Sequence, residues 1–339
     1  MEKNNMLYFW RVMFTYMIAF HHLLNIYGLG VGWYIGVDFF AILSGFLLCH
    51  HIERHPQESI FEYAKGRFVY FVPIVFLCAV ATLYLQALYR NINFSETGIW
   101  IIQAIPEYLL LNAYSISRTI NGVDWYIQAL VIPSIFLAYL YRWNKVAVAS
   151  VLAPIVAWLI YSVLLKNYGH AEGYMVRKKV IDGLINWSVL RVFAGLCLGA
   201  FCYYIKNYFT IRIKGCMQVV PLCIFVCVFV LSYLYGKTQY DLLYILMCAL
   251  GVVLASGAVS NALFYNKFIL FLSKISIYIY LLHMPFRFIM KKFIPEFSVC
   301  VCVTYFVLIT VTSLMMHLLI VILKKLATQL SRPKLERFK

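Results

Sequence analysis

The run VCVCVTYFVLITVTSLMMHLLIVIL, residues 299–323, decides the fold class because it contains no Asp, Glu, Lys or Arg. A membrane-spanning helix needs about 20 consecutive, mostly apolar residues, and this run exceeds that length. The rest of the chain is similar: 64% of the 339 residues are hydrophobic, 12% are charged, and the mean hydropathy is +0.83. Soluble domains are about half apolar and a quarter charged, so the composition excludes a soluble domain, a disordered chain and a disulfide scaffold.

Ten runs of this kind are long and apolar enough to cross a bilayer. We therefore predict an all-α, polytopic integral membrane protein with a single domain over residues 1–339. Residues 99–111 are also apolar, but this segment is short and Pro106 and Glu107 interrupt it, so we predict an interfacial or re-entrant helix there. The ten predicted spans are 7–26, 33–49, 68–88, 125–141, 146–165, 189–204, 217–235, 242–259, 268–290 and 299–323.

The net charge of +16 comes from 29 Lys and Arg against 13 Asp and Glu, placed mostly between the apolar runs. Such charges set topology and contact anionic lipid headgroups, so no nucleic-acid partner is predicted. If the N-terminus lies inside, 18 of the 29 cations lie inside as well, including those of the basic tail 324–339. We predict that both termini are cytoplasmic and that loop 166–187, with its basic cluster 177–179, lies outside. No His or Cys spacing indicates a metal site.

Ionisable side chains within the first predicted span are the first candidates for function, because their burial in a bilayer is costly. Arg11 and His22 are eleven residues apart, which places them on one helix face about 16 Å apart. His21 points about 100° away. A neutral His22 could act as a general base. The alternative is that Arg11 extends to the inner headgroups and His22 only hydrogen-bonds a neighbouring helix.

The second and ninth predicted spans carry further polar stripes. Asp38 lies at a depth comparable to that of His22, where a carboxylate could orient the imidazole. Ser44 and Gly45 fit either a binding role or close helix packing. Late in the chain, polar side chains at i, i+4, i+7 and i+11 share one face, and serve either catalysis or helix association: Ser276, Tyr280, His283 and Arg287.

Polar residues near the predicted membrane surfaces complete the candidate set. On the inner side, Arg54, Lys65 and Arg67 satisfy the positive-inside rule, or bind a phosphorylated cosubstrate. At the outer end of the fourth span, Asp124 and Gln128 lie one turn apart and could contact a sugar. Arg191 heads a seam of small residues, Gly195 and Gly199, of the kind that lets helices pack closely.

Three of these patterns together resemble a known family, the membrane-bound acyltransferase family 3, whose bacterial members O-acylate cell-envelope glycans. The resemblance covers essentially the whole chain. It rests on Arg11 and His22, on the segment GVDFFAILSGFLL at 36–48, and on SIYIYLLH at 276–283. The segment 124–126, Asp-Trp-Tyr, resembles the version in polysaccharide-acylating members. The chain departs from the family on the inner loop, where members usually carry two arginines three residues apart and Arg67 is followed by Tyr70.

The resemblance implies acyl transfer, most often of acetyl, from cytosolic acyl-CoA to a glycan hydroxyl at the bacterial cytoplasmic membrane. Acyl-CoA is then a co-substrate, no cofactor stays bound, and polysaccharide synthesis or export proteins are the expected partners. His22 acts as base or acyl carrier, with Asp38 beside it. Arg11 binds the donor, and His283 or Tyr280 stabilises the oxyanion. Some members append an esterase-like domain, and here we expect the membrane domain to complete the transfer.

Two other classes of function fit the same residues. In a transporter or flippase for a glycan or lipid precursor, the intramembrane His, Asp and Arg would bind substrate or relay protons. A membrane-embedded assembly partner would have no activity, but it would gain little from two costly polar stripes. The sequence does not identify the acyl group, the acceptor sugar or the oligomeric state.

Overall fold

The computed structural model describes residues 5–90, 94–114, 120–172, 179–181, 185–258 and 266–335. Nearly all of these residues are helical, which confirms the predicted all-α class. A short antiparallel ribbon of β1 (Lys179–Ile181) and β2 (Ile185–Asn186) lies in the predicted outer loop. The first part of the chain forms α1 (Asn5–Ile26), α2 (Gly36–Arg54), α3 (Ile60–Arg90), α4 (Phe94–Gln103), α5 (Ile105–Tyr108) and α6 (Trp125–Trp143).

The second half of the chain also forms helices at the positions of the predicted apolar runs. A short α7 (Lys145–Ala147) continues through a π-helical stretch (Val148–Leu152) into α8, so residues 145–168 form one rod. Short 3₁₀ helices cover Trp33–Ile35, Asn112–Tyr114 and Gly215–Gln218. The later helices are α8 (Ala153–Tyr168), α9 (Trp187–Tyr208), α10 (Val219–Tyr235), α11 (Asp241–Gly257), α12 (Lys267–Phe293) and α13 (Val299–Leu335).

Within the described residues, seven helices are long and apolar enough to cross a membrane. The other three predicted spans form α1, α6 and α11, of which α11 is apolar but shorter. The predicted interfacial segment 99–111 forms the short helices α4 and α5, and neither reaches a spanning length. The start of the predicted basic tail, residues 324–335, continues α13 as helix. In the outer loop, residues 177 and 178 of the basic cluster lie outside the described residues.

The most extensive helix packing joins α2 to α9, and small residues make it possible. A Cβ atom at Gly45 would collide with the backbone of Leu196, and one at Gly199 would collide with the backbone oxygen of Ile42. The side chain of Ala41 fills the space in front of Gly195. The predicted seam of small residues is therefore the contact surface between these two helices.

The direction of this pair bears on the number of membrane crossings. Asp38 faces Arg191 at the start of both helices, and Gly45 faces Leu196 one to two turns later, so α2 and α9 run in the same direction. A parallel pair requires an odd number of crossings between its members. The helix α3, the helix α6 and the rod formed by α7 and α8 supply three, and a crossing by α4 and α5 would reverse the direction.

The second extensive pair, α1 with α12, carries five of the twelve predicted site residues. His22 lies beside His283, and both Arg11 and Ser276 lie earlier on their helices, so this pair is parallel as well. The helices α2, α3 and α6 surround the half of this helix pair that carries Arg11 and Ser276. These five helices enclose the cavity described next.

Candidate active site

A cavity of about 580 Å³ lies between α1, α2, α3, α6 and α12. Five predicted site residues line the cavity, and they come from the four helices α1, α2, α3 and α12. They are Arg11, Ser44, Arg67, Ser276 and Tyr280. The helix spacing that predicted one face for Ser276 and Tyr280 is confirmed, since both point into the same space. A volume of this size lies in the range of small-molecule binding sites.

The charge of the cavity has one sign. Arg11, His50, Arg54 and Arg67 line it, and no Asp or Glu is among its described lining residues. Arg11 is half-buried, and no carboxylate forms a salt bridge with it anywhere in the described part of the chain. The Arg67 guanidinium lies 4.8 Å from the centre of the Tyr63 ring, which holds it at the wall. A half-buried cation without a counter-ion favours an anionic ligand.

His50 lines the cavity although the sequence interpretation did not consider it, and Arg54 of the predicted basic inner loop lines the cavity as well. Leu43, Leu47, His50 and Arg54 all line the cavity, and they follow the i, i+4, i+7, i+11 spacing that identified the stripe on α12. The same rule applied to α2 would have found them. Lys65, by contrast, is exposed and does not line the cavity, so its position gives no support to the predicted donor contact.

His22 and His283 form a pair beyond the end of the cavity. Their ring centroids are 5.1 Å apart, and the rings are nearly parallel, with an interplanar angle of 27°. The His22 ring is half-buried, and it has no hydrogen-bond partner among the described residues. A half-buried imidazole whose ring nitrogens form no hydrogen bond can accept a proton from a hydroxyl group.

The hydrogen bonds of His283 and Tyr280 argue against the predicted oxyanion roles. Nδ1 of His283 lies 2.6 Å from the carbonyl oxygen of Tyr280, so Nδ1 donates and Nε2 of the neutral ring holds a lone pair. This Nε2 is buried without a partner in the described structure. The Tyr280 hydroxyl donates to the Val123 carbonyl oxygen at 2.6 Å. Neither group, as arranged, has a hydrogen left to donate to an oxyanion.

Asp38 is not the partner of His22, and this prediction is wrong. Its two carboxylate oxygens accept from Nε and Nη2 of Arg191 at 3.1 and 2.5 Å, and the Tyr161 hydroxyl donates to Oδ1 at 3.1 Å. Both ions of the pair are almost fully buried. Arg191 also donates to the Tyr34 carbonyl oxygen at 3.3 Å. Asp38 and Arg191 therefore join α2 to α9 through a bidentate ion pair.

Asp124 and Gln128 are buried and lie outside the cavity lining, so the predicted sugar contact has no support in their positions. The Gln128 amide donates to Asp124 at 2.8 Å and accepts from the Ala113 amide at 2.8 Å. Glu107, next to this pair, accepts from the backbone amides of residues 120 and 121 at 2.5 and 2.9 Å. These groups hold the chain that leads into α6.

A second group of charges lies on the predicted outer side, next to His21. Glu172 forms an ion pair with Lys237, and His21 Nε2 lies 3.5 Å from Glu172 Oε1 and 3.0 Å from the Asn25 amide. Burial alone would raise the pKa of Glu172, but the hydrogen bonds and charges of His21 and Lys237 outweigh it and lower the pKa to about 2. This ionised carboxylate ties the segment after α8 to α1.

The described residues bring no three His, Cys, Asp or Glu side chains together as a metal site. The arrangement is instead a basic cavity with two imidazoles just past its end. Such a site can hold an anionic molecule and move a proton, which are the two requirements of acyl transfer from a phosphorylated donor.

Comparison with known proteins gives one match. The sequence model of a family described as an acyltransferase domain matches residues 7–323, which is nearly the whole chain. No curated protein matches the sequence, and no solved structure matches the fold.

Proposed function

This chain belongs to acyltransferase family 3, and from that premise we propose that it is an O-acyltransferase of the bacterial cytoplasmic membrane. It takes an acyl group, acetyl in the first instance, from cytosolic acyl-CoA. The acceptor is a hydroxyl of a cell-envelope or exported polysaccharide. Both termini face the cytoplasm, and proteins of polysaccharide synthesis or export are its partners.

The observation that carries the donor assignment is Arg11, which forms no salt bridge among the described residues, in a cavity whose described lining contains Arg and His but no Asp or Glu. His50, Arg54 and Arg67 line the cavity near the end of α2 and the start of α3, the side that the positive-inside rule assigns to the cytoplasm. Phosphates of acyl-CoA bind on this side. The uncharged arm extends past Arg11 and Ser44 and brings the thioester towards the histidine pair.

In the proposed reaction the acceptor hydroxyl oxygen attacks the thioester carbonyl carbon. His22 takes the hydroxyl proton, the carbon–sulfur bond breaks, and the departing thiolate is protonated, so that the products are an ester and free CoA. In the covalent variant His22 itself first forms the bond to the acyl carbon while the carbon–sulfur bond breaks and the thiolate leaves. The acceptor hydroxyl oxygen then attacks the acyl carbon, the bond to His22 breaks, and the hydroxyl proton is transferred through the released imidazole to the thiolate. Both variants need a neutral His22 next to the thioester.

The test is transfer by purified protein. Radiolabelled acetyl-CoA and isolated polysaccharide are added to the protein in lipid nanodiscs, and labelled polysaccharide is counted. Label in the polysaccharide that depends on the protein supports the proposal, whereas none with acetyl-CoA or with longer acyl-CoA donors contradicts it. Mass spectrometry of surface glycans with and without the gene identifies the acyl group. Transport of a glycan or lipid precursor in the absence of acyl-CoA would instead support the flippase alternative, for which the comparisons give no support.

A further inference from the structure

Tyr280 lies between the basic cavity and the histidine pair. Its side chain lines the cavity, together with Thr15 and Ser276, while neither His22 nor His283 does. The His283 ring follows one turn later on α12, and its centroid is 5.9 Å from that of Tyr280. At this distance two rings are in contact, so Tyr280 stands where the cavity would otherwise continue to the imidazoles.

A second tyrosine supports the Tyr280 ring from the side. Tyr126, from the start of α6, meets Tyr280 edge to face with ring centroids 5.8 Å apart and an interplanar angle of 73°. Both side chains are buried, at 6% and 7% exposure, and both line the cavity. Two aromatic rings from different helices thus form the wall of the cavity that faces the histidine pair.

The far end of the Tyr280 side chain is also fixed. Its hydroxyl donates to the Val123 carbonyl oxygen at 2.6 Å, and the chain around Val123 is itself anchored. Glu107 accepts from the amides of residues 120 and 121, and the Asn121 side chain donates to the Leu281 carbonyl oxygen at 2.6 Å. The segment before α6 is therefore hydrogen-bonded to α12 at Tyr280 and Leu281, which fixes the Tyr280 ring in place.

We propose that Tyr280, supported by Tyr126 and Val123, is a partition that separates the bound acyl thioester from the histidine pair until transfer takes place. The partition makes Tyr280 the residue that favours transfer over hydrolysis. In hydrolysis a water oxygen attacks the thioester carbon, the carbon–sulfur bond breaks, and the acid and free thiol are released. This inference rests on the proposed function, because it takes the cavity to be the donor site.

The first experiment compares two products of acyl-CoA in purified protein: free thiol without acceptor, and acylated polysaccharide. In Tyr280→Leu the ring and its hydroxyl are lost, and we expect thiol release without acceptor to rise by at least about fivefold while transfer falls. The control is Tyr278→Leu, which removes a buried tyrosine of the same helix whose ring lies 5.5 Å from that of His317, outside the cavity. A parallel fall of both products in folded Tyr280→Leu protein would overturn the partition.

The second experiment needs no enzyme activity. His22→Cys is treated in inverted vesicles with a small anionic methanethiosulfonate, and the peptide with residue 22 is quantified by mass spectrometry. With Tyr280 present we expect slow labelling, and with Tyr280→Leu labelling at least about fivefold faster. Equal rates would overturn the proposal. If the Leu variant does not purify as a folded protein, Tyr280→Met replaces it and must give the same result.

The two experiments separate the partition from the function it rests on. If wild-type protein transfers no acyl group but labelling of His22→Cys still depends on Tyr280, the proposed function fails and the partition stands. If transfer is normal and labelling ignores Tyr280, the function stands and the partition fails.

Discussion

Among single residues, His22 is the side chain on which the proposed chemistry depends. It is half-buried, stacked on His283 and without a hydrogen-bond partner among the described residues. We expect His22→Ala to lower the transfer rate by about 10²–10⁴-fold at normal protein level, which is the usual cost of losing a general base. The measurement is transfer of labelled acetyl to polysaccharide by purified protein.

The control for His22 must respect the surroundings of its neighbour. His21 is buried and contacts Asn25 and Glu172, so His21→Ala would remove the contacts that join α1 to the segment after α8. His21→Gln keeps a polar side chain there, and we expect it to retain transfer within about tenfold of wild type. A His22→Ala protein that works at nearly the wild-type rate would contradict the mechanism.

Arg67 and Lys65 offer a matched pair of cations on α3. Arg67 lines the cavity, while Lys65 is exposed and does not. We expect Arg67→Ala to raise the KM for acyl-CoA roughly tenfold, about 1.4 kcal/mol, with little change in kcat, because a phosphate contact is present in ground and transition states alike. Lys65→Ala should leave both constants close to wild type. Steady-state kinetics with varied acyl-CoA decide this, and an unchanged KM with a collapsed kcat would remove Arg67 from the donor site.

At the scale of structural elements, the contact of α2 with α9 tolerates no added volume. A Cβ at Gly199 would collide with the backbone of Ile42 and would come within 2.7 Å of the Phe46 amide nitrogen, and backbone cannot move aside as a side chain does. We expect Gly199→Ala to destabilise the protein by about 1–3 kcal/mol, seen as a lower Tm in detergent. Gly66→Ala is the control, since nothing lies within 4 Å of its added Cβ. A wild-type Tm for Gly199→Ala would mean that the helices are farther apart.

The ion pair of Glu172 with Lys237 should make the stability of the protein depend on pH. The pKa of Glu172 is about 2 in the folded protein against an ordinary 4.5, so its stabilising effect is full above pH 4.5 and is lost as the pH falls towards 2. We expect Glu172→Gln to cost about 1–2 kcal/mol near neutral pH, a value reduced because Lys237 is partly exposed. Thermal unfolding at pH 6 and pH 3 is the test: the gap between variant and wild type should narrow at pH 3, and a constant gap would contradict it.

The sequence predicted helices better than it predicted partners. Each of the ten apolar runs is helical over nearly all of its described length, and the spacing of Ser276 and Tyr280 placed both in one cavity. Periodicity within a helix does not say which neighbour it faces. Asp38 was therefore assigned to His22 at a similar depth, whereas its partner Arg191 is 153 residues away in sequence. The wall at Tyr126 and the anchor at Glu107 likewise depend on contacts between distant segments.

At the scale of the whole molecule, the topology can be tested with residues that the structure describes. Lys166 is exposed at the end of α8, on the predicted outer side, and Lys145 is exposed at the start of the same rod. In a cysteine-free background we expect Lys166→Cys to react with an impermeant maleimide in intact cells. Lys145→Cys should react only after permeabilisation. The reverse labelling pattern would show that the protein has the opposite orientation in the membrane.

The buried pair of Asp38 and Arg191 also constrains how the protein is made. The two residues are 153 positions apart, and at a synthesis rate of about 5–20 residues per second Arg191 is made roughly 8–30 s after Asp38. During that interval α2 has its acidic group but not its counter-ion, and α9, whose glycines fit against it, does not yet exist. An unpaired carboxylate is costly in a bilayer, so the position of α2 is stabilised only once the sixth span, α9, has been made.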